Sequence, residues 1–329
     1  MTRLGCGRIL AMVRKSSSRR TTRIWAHCCA PLLLLAALPV RADSIAPALR
    51  ASVVRVEAAV DQASGGPALM HELSEREKRT PYERELLRRL KVGAVGTGFF
   101  VNAQGYLVTN AHVVLGGVRY RSLHLSQEEW DSIRTLLTTY RDLWITVGEG
   151  EEQRDYLATP VTIIEDLDLA VLKVSLPPGE VASFSFLPIA HSSTLRLDDA
   201  VLSLGFPEYE FQSSRGRVLS LIYGKTVHEE MQLVQRTDPD TGQTITTVSG
   251  TSKGPLMRFQ HNAHTGHGSS GGPLLNARGE VVGVAYALLS ETDPEGNTEL
   301  RTDLNLGIAS DVLIRLLKEN SVPFTEVKP

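Results

Sequence analysis

One glycine-rich stretch organises the rest of this sequence: His267-Gly268-Ser269-Ser270-Gly271-Gly272-Pro273, in the last fifth of the chain. Ser270 precedes an apolar pair and a second strand-like run at 281–287. Glycine at position 268 lets the backbone turn so that its own N–H and that of Ser270 point at one spot, where they would stabilise an oxyanion. The pattern indicates an exposed nucleophile. A glycine-rich hairpin turn with a solvent-exposed serine is the alternative interpretation.

A nucleophilic serine needs a general base, and the base needs an acid that orients it. His112 follows two strand-like runs, 96–101 and 106–109, which are separated by an Asn102–Gly105 turn. We therefore predict that His112 is the general base, held at the end of a short strand.

Asp168 stands directly before a buried strand-like run at 169–174. Asp166 has the same strand parity, so both carboxylates would face the same way. We choose Asp168 as the acid that fixes the tautomer of His112, because it adjoins the apolar run. A solvated turn residue is the alternative for Asp166, and a strand-start cap is the alternative for Asp168.

The order of the three residues along the chain distinguishes between hydrolase folds. His112, Asp168 and Ser270 follow the chymotrypsin-like order. The α/β-hydrolase order needs a histidine after the serine, and none exists beyond His267. The subtilisin order needs an aspartate before the histidine in a strand-like context, which the sequence does not offer.

Five motifs in this order resemble those of the HtrA/DegP-type, trypsin-like serine proteases. They are Gly96–Phe99, Thr109–Val114, Asp168–Lys173, Leu204–Pro207 and Gly268–Pro273. The resemblance implies an all-β fold of two six-stranded antiparallel β-barrels with helical insertions and a short C-terminal helix. Two departures stand out: Ser269 occupies a position that is usually asparagine in the family, and the chain ends at Pro329, so we expect no PDZ domain after the protease.

Residues 1–42 contain eight Lys or Arg, no Asp or Glu, and end in a short apolar run followed by Val40-Arg41-Ala42. This pattern predicts a secretory signal peptide cut after Ala42, and hence a periplasmic or secreted protein without stable membrane insertion. An uncleaved anchor is the alternative, and Ser18-Arg19-Arg20 only weakly matches a twin-arginine signal. All three cysteines fall inside the segment.

Removal of residues 1–42 takes away eight of the 35 basic residues and none of the 37 acidic ones, so the net charge changes from −2 to −10. That charge argues against nucleic acid or an anionic membrane surface as the main partner. The remaining chain suits one two-barrel unit better than several domains. We place the N-terminal barrel at about 50–176, the C-terminal barrel at about 187–309, and a closing helix at 311–319 with Ser310 as its N-cap.

Two insertions interrupt the first barrel. Residues 61–92 are dense in charge, which favours a solvated loop with a helical turn at 82–90 over a dedicated binding element. Ser126 and Glu129 form a capping box, and apolar residues then recur at helical spacing. We predict a helix at 127–141 that packs on the first barrel. The strand-like run at 50–60 precedes both insertions, and the resemblance makes residues 43–60 a candidate trimer contact.

The walls of the substrate pocket follow from the trypsin-like resemblance. His264 and Thr265 would line one wall and Ala285 the other. A preference for Lys or Arg needs a carboxylate at the pocket floor, where His264 stands instead, and glutamate-specific relatives place a histidine at the position of Ala285. We therefore predict cleavage after small or medium aliphatic residues, with acidic preference through His264 as the alternative. Three histidines, 261, 264 and 267, would alternate between faces of an extended segment, so we assign no metal.

The sequence thus predicts an exported serine endopeptidase that acts on unfolded or misfolded envelope polypeptides. Ser270 attacks, His112 takes and returns the proton, Asp168 orients His112, and the N–H groups of Gly268 and Ser270 hold the oxyanion. The chemistry needs no metal or organic cofactor. Two alternatives stay open: a catalytically silent trypsin-like binding or chaperone module, and a small-ester hydrolase that uses the same triad.

Overall fold

The computed structural model describes residues 45–61, 65–91, 93–116, 125–225, 227, 231–237, 242, 244–250, 253–292 and 298–329. The predicted signal peptide and all three cysteines lie outside these residues.

Six antiparallel strands close the first barrel in the order β1-β2-β3-β6-β5-β4. The strands are β1 (Val53–Val60), β2 (Ala94–Phe100), β3 (Tyr106–Thr109), β4 (Arg141–Val147), β5 (Arg154–Ile164) and β6 (Leu169–Ser175). Successive side chains of a strand point to opposite faces, so one face of β1 fills the interior. Val54, Val56 and Ala58 of β1 are fully buried in this way.

The second barrel also closes with six strands. The ring is β8-β9-β12-β15-β14-β13, and it closes because β13 pairs with both β8 and β14. Two short strands extend it, since β7 pairs in parallel with β14 and β16 pairs in parallel with β7, while β10 and β11 form a separate hairpin. The prediction of two six-stranded antiparallel barrels is confirmed. The strands are β7 (Ile189–Ala190), β8 (Ala200–Gly205), β9 (Gln212–Tyr223), β10 (Met231–Thr237), β11 (Thr244–Gly250), β12 (Leu256–His261), β13 (Pro273–Leu275), β14 (Val281–Thr292), β15 (Thr298–Ala309) and β16 (Glu326–Val327).

Helices occur mainly in the two insertions of the first barrel. In chain order they are α1 (Pro47–Ala51), α2 (Gly66–Glu75), α3 (Pro81–Lys91), α4 (Ala111–Val114), α5 (Gln127–Tyr140) and α6 (Ser310–Glu319). The helix predicted at 127–141 is confirmed as α5, including the reciprocal capping box between Ser126 and Glu129. Within the described residues, no helix is both long and apolar enough to span a membrane.

The helical turn predicted at 82–90 lies within α3, but the prediction of a solvated loop for the rest of 61–92 was wrong. This segment forms α2 and α3, whose buried leucines pack with α5 in a separate apolar cluster. We call α2, α3 and α5 together the helical insertion. The charged residues cover the outer faces of the two helices, and this charge density masked their apolar sides. Packing of an amphipathic face against other helices stabilises such short helices more than intrinsic propensity does.

Ser310 does not act as the N-cap of the closing helix. Helix α6 begins at Ser310 itself, and its N-cap is Ala309 without a side-chain cap. The Ser310 hydroxyl instead donates to the carbonyl of Ala190, at 2.5 Å. The serine thus attaches the helix to β7 and does not cap its N-terminus.

The C-terminal segment ties the two barrels together. Asn102, in the β2–β3 turn of the first barrel, donates through Nδ2 to the carbonyl of Pro323 at 2.6 Å. The Ile189 N–H donates to the carbonyl of Thr325 at 2.9 Å. His191 lies between two carboxylates, with Nδ1 2.6 Å from Asp311 and Nε2 3.0 Å from Glu326. Residues 323–326 are therefore packed into the fold.

Candidate active site

His112, on α4, and Asp168, directly before β6, are brought together. The Asp168 carboxylate accepts from the His112 backbone N–H at 2.9 Å and lies 2.7 Å from Nδ1 of the same residue. Asp168 follows a 3₁₀ turn at Glu165–Leu167 and takes a left-handed conformation with φ +48°. Its carbonyl accepts from Asn110 Nδ2 at 2.8 Å, which fixes the aspartate against the segment that leads to His112.

Thr97 of β2 fastens the serine turn to the first barrel. Its N–H donates to the Ser270 carbonyl at 2.8 Å, and its hydroxyl donates to the Gly268 carbonyl at 2.6 Å. The same hydroxyl accepts from the Phe206 N–H at 2.9 Å. One buried threonine thus joins three segments, a role that the sequence did not reveal although Thr97 lies within a recognised motif.

Gly271 lets the serine turn approach the histidine segment. A Cβ at this position would lie 2.2 Å from the carbonyl oxygen of Thr97 and 3.0 Å from the backbone nitrogen of Asn110, and the residue has φ +88°. Only glycine fits such a close approach. Ser270 therefore precedes a residue that touches the chain two positions before His112. Within the described residues the Ser270 hydroxyl and His112 are not hydrogen-bonded, a contact that often tightens only when substrate binds.

The peptide between His267 and Gly268 is held in one orientation. Residues Gly266–Ser269 form a turn closed by the Ser269 N–H and the Gly266 carbonyl at 3.0 Å, and Gly268 has φ +98°, as in a type II turn. The His267 carbonyl accepts from the Glu208 N–H at 3.0 Å. Because C=O and N–H point in opposite directions in a trans peptide, the Gly268 N–H points away from Glu208. Among the described residues, the N–H groups of Gly268 and Ser270 have no hydrogen-bond acceptor.

Ser269, the departure noted in the sequence, has a local structural role. Its side chain is buried, and its hydroxyl accepts from the Gly266 N–H at 3.1 Å. This hydrogen bond closes the same four-residue turn a second time. A short hydroxyl is therefore sufficient to brace the turn here.

The three residues predicted for the substrate pocket differ in exposure. Thr265 is buried, and its hydroxyl donates to Oδ1 of Asn305 at 2.7 Å. His264 is exposed, and its N–H donates to the Ser214 hydroxyl at 2.7 Å. Ala285 is buried and exchanges backbone hydrogen bonds with Gly271 and Gly272, at 2.9 and 2.8 Å. Thr265 and Ala285 therefore lie beside the serine turn, while the side chain of His264 faces outward.

A further histidine, His261, lies inside the second barrel. It is fully buried, its ring lies 6.0 Å from that of Phe259, and neither ring nitrogen has a hydrogen-bond partner within the described residues. Burial lowers the pKa of His261 to about 4, an effect that the nearby Ala263 backbone only partly offsets. The residue is therefore neutral at physiological pH, and the spaced histidines at 261, 264 and 267 do not share one environment.

Two six-stranded antiparallel barrels, with a histidine–aspartate pair and a glycine-bounded serine at their junction, are the architecture of the trypsin-like serine peptidases. The sequence model of the trypsin-like peptidase domain matches residues 96–284, which is more than half of the chain. The chain belongs to this family.

Individual relatives share about a quarter of their residues with this chain. A Rhizobium meliloti protein named "Probable periplasmic serine endoprotease DegP-like" is 27% identical over 235 residues, which cover 71% of this chain and 35% of the relative. The "Serine endoprotease DegS" of Haemophilus influenzae is 24% identical over 234 residues, which cover 71% of this chain and 53% of the relative. The chain thus matches between about a third and about half of the length of these relatives.

Among solved structures, one titled "HtrA-type protease AlgW with tripeptide" is 16% identical to this chain. The alignment covers 82% of this chain and 60% of that one, with a TM-score of 0.47.

Proposed function

We propose that this protein is an HtrA-type serine endopeptidase that uses His112, Asp168 and Ser270 as its catalytic triad. The observation that carries the proposal is the pair of hydrogen bonds that the Asp168 carboxylate accepts from His112, beside a serine turn that Thr97 attaches to the same barrel. The membership in the trypsin-like peptidase family supports the same reaction class.

The geometry around His112 suits general base catalysis. With Nδ1 bound to Asp168, the lone pair of the neutral imidazole lies on Nε2. Nε2 takes the proton of the Ser270 hydroxyl as Oγ bonds to the scissile carbonyl carbon. The same proton then passes to the leaving amine when the C–N bond breaks, and water hydrolyses the acyl-enzyme in a second cycle of proton transfer.

The oxyanion is assigned to the N–H groups of Gly268 and Ser270. Two features support this assignment: the positive φ of Gly268 and the anchoring of the His267 carbonyl on the Glu208 N–H. Donors that are already oriented stabilise developing charge without reorganisation at the moment of reaction.

A comparison of the wild-type chain with Ser270→Ala tests the proposal. We expect the wild-type protein to degrade unfolded casein and to react with a fluorophosphonate probe, and the variant to do neither while keeping its melting temperature. Reaction with the probe together with cleavage of short esters but not of casein would favour an esterase. A folded wild-type protein that neither reacts with the probe nor cleaves casein would favour a binding or chaperone module and would refute the proposal.

The cellular setting is a further part of the proposal. Basic residues and a short apolar run at 1–42 support export to the periplasm or the medium, with unfolded or misfolded envelope polypeptides as substrates. Fractionation of cells that produce the tagged protein, with N-terminal sequencing of the exported form, tests the predicted cut after Ala42. Retention of residues 1–42 in the exported protein would contradict the cut and favour an anchor.

A further inference from the structure

A buried arginine links the helical insertion to the segment that carries His112. Arg89 of α3 is fully buried, and its Nη1 donates to the carbonyl of Leu115 at 2.7 Å. Leu115 is the C-cap of α4, and its N–H bonds to the carbonyl of Ala111 at 2.9 Å. The guanidinium therefore holds the residue that directly follows the one-turn helix carrying His112.

A buried tryptophan makes a matching link to the segment that carries Asp168. Trp130 of α5 is 1% exposed, and its Nε1 donates to the carboxylate of Glu165 at 2.8 Å. The carbonyl of Glu165 accepts from the Asp168 N–H at 2.9 Å and so closes the 3₁₀ turn before the aspartate. The indole thus holds the first residue of the turn that sets the conformation of Asp168.

The two links form one unit. The guanidinium carbon of Arg89 lies 4.6 Å from the centre of the Trp130 ring, which is cation–π distance. Arg89 Nε also donates to the Glu85 carboxylate at 2.6 Å. Arg89 thus makes two hydrogen bonds through its guanidinium and one contact with the Trp130 ring. These contacts fix the position of the guanidinium relative to the ring.

Packing alone does not require this arrangement. The leucines of α2 and α3 already bury an apolar face against α5. Desolvation of a guanidinium and of a carboxylate is costly, and a hydrophobic replacement of similar volume is often neutral or stabilising. Burial indeed lowers the pKa of Arg89 and raises that of Glu165, although the Trp130 hydrogen bond opposes the shift of Glu165. The polar contacts of Arg89 and Trp130 therefore need an explanation other than stability. One ends in the segment that carries His112 and the other in the segment that carries Asp168.

We propose that Arg89 and Trp130 are positioning residues, which hold the His112 and Asp168 segments at a fixed separation from outside the barrel. The helical insertion is then a brace for the histidine–aspartate pair. The kinetic part of this proposal rests on the proposed peptidase function, but the geometric part concerns only the His112–Asp168 hydrogen bond.

Four variants separate positioning from general stability. Trp130→Phe keeps an aromatic ring over the guanidinium but removes the donor to Glu165, and Arg89→Met removes the bond to Leu115. Ile133→Val is the matched control, because Ile133 is fully buried in the same cluster and the change removes one buried methyl group without touching either link. Glu165→Gln keeps an oxygen acceptor for the indole and serves as the conservative variant.

The first readout is the downfield proton resonance of the His112 Nδ1–H···Asp168 hydrogen bond in the unreacted protein. We expect Trp130→Phe and Arg89→Met to shift or broaden it, and Ile133→Val and Glu165→Gln to preserve it. The second readout is peptide cleavage, in which we expect kcat to fall about tenfold in the first two variants, with KM changed less than twofold.

The outcomes distinguish the two proposals. If Trp130→Phe and Arg89→Met lower only the melting temperature, as Ile133→Val does, the residues are structural and the inference is overturned. If either variant fails to fold, Arg89→Lys is measured instead. A lysine cannot keep both the contact with the Trp130 ring and the two guanidinium hydrogen bonds, so this variant must show the same shifted resonance. A wild-type protein that shows the resonance but does not cleave peptides refutes the peptidase and leaves the inference intact.

Discussion

Asp168 holds His112 at two points, because one carboxylate oxygen accepts from the backbone N–H at 2.9 Å and the other lies 2.7 Å from Nδ1. The first contact fixes where the residue lies, and the second fixes the orientation of its ring. A single buried side chain, 3% exposed, thus contacts both the backbone and the ring of the histidine.

Replacement of this carboxylate tests its role directly. We expect Asp168→Asn to lower kcat by about three to four orders of magnitude, since an amide can donate to Nδ1 and stabilise the wrong tautomer. Asp166→Asn, two residues away in the same turn, is the matched control and should keep most of the activity. Steady-state cleavage of a peptide substrate measures both. A larger loss in Asp166→Asn would show that the wrong carboxylate was chosen.

Substitution of Gly268 tests the oxyanion assignment. A Cβ at Gly268 would lie 2.5 Å from the Phe206 carbonyl oxygen, in a left-handed conformation, so Gly268→Ala must reorient the peptide. We expect kcat to fall about 10²- to 10³-fold with a smaller change in KM. Gly266→Ala, where a Cβ would meet only Pro207 at 3.3 Å, is the control. Equal losses in both variants would argue against a specific role for the Gly268 N–H.

The buried His261 makes stability depend on pH. Burial lowers its pKa to about 4 from 6.5, so the unfolded chain binds a proton in the interval between these values and the folded chain does not. The free energy of unfolding should therefore fall as the pH drops from about 6.5 to 4, by about 3 kcal/mol in total. His261→Leu should flatten this part of the curve in urea titrations. His71→Gln, at an exposed position on α2, should leave the slope in place; an unchanged slope in His261→Leu would contradict the assignment.

For the substrate residue that precedes the cleaved bond, we still predict a small or medium aliphatic side chain. The structure adds that the Thr265 hydroxyl is engaged by Asn305, so the buried wall offers a peptide little free polarity. A peptide-library digest at neutral pH should show cleavage after valine, alanine or leucine. Dominant cleavage after glutamate or aspartate that disappears in His264→Ala would establish the acidic alternative instead.

Assembly is the last prediction. Strand β1 is hydrogen-bonded to β2 on one side and to β4 on the other, so it has no free edge for a partner. A contact through residues 43–60 therefore falls to α1, where Pro47 and Ala48 are exposed. We expect a trimer in sedimentation velocity at micromolar concentration, and dissociation in Ala48→Glu. A wild-type protein that sediments as a monomer under these conditions would contradict the prediction.

The sequence was most informative where structure is local. The turn at Gly268 and the capping box of α5 involve residues within a few positions of each other, so their pattern is visible in the chain. Contacts between distant segments were not visible: Thr97 bonds to Gly268 across 171 positions, and Thr265 bonds to Asn305 across 40. The charged segment of α3 misled for a related reason, since Arg89 is charged yet buried, and its partners come from other segments.

The tie between Asn102 and Pro323 also sets an order of events during synthesis. The two residues are 221 positions apart, and Thr325, which receives the Ile189 N–H, comes later still. Ribosomes complete the N-terminal barrel before they deliver these partners. The hydrogen bond between the two barrels can form only after Pro323 has emerged, so a chain halted earlier during its production would lack this link.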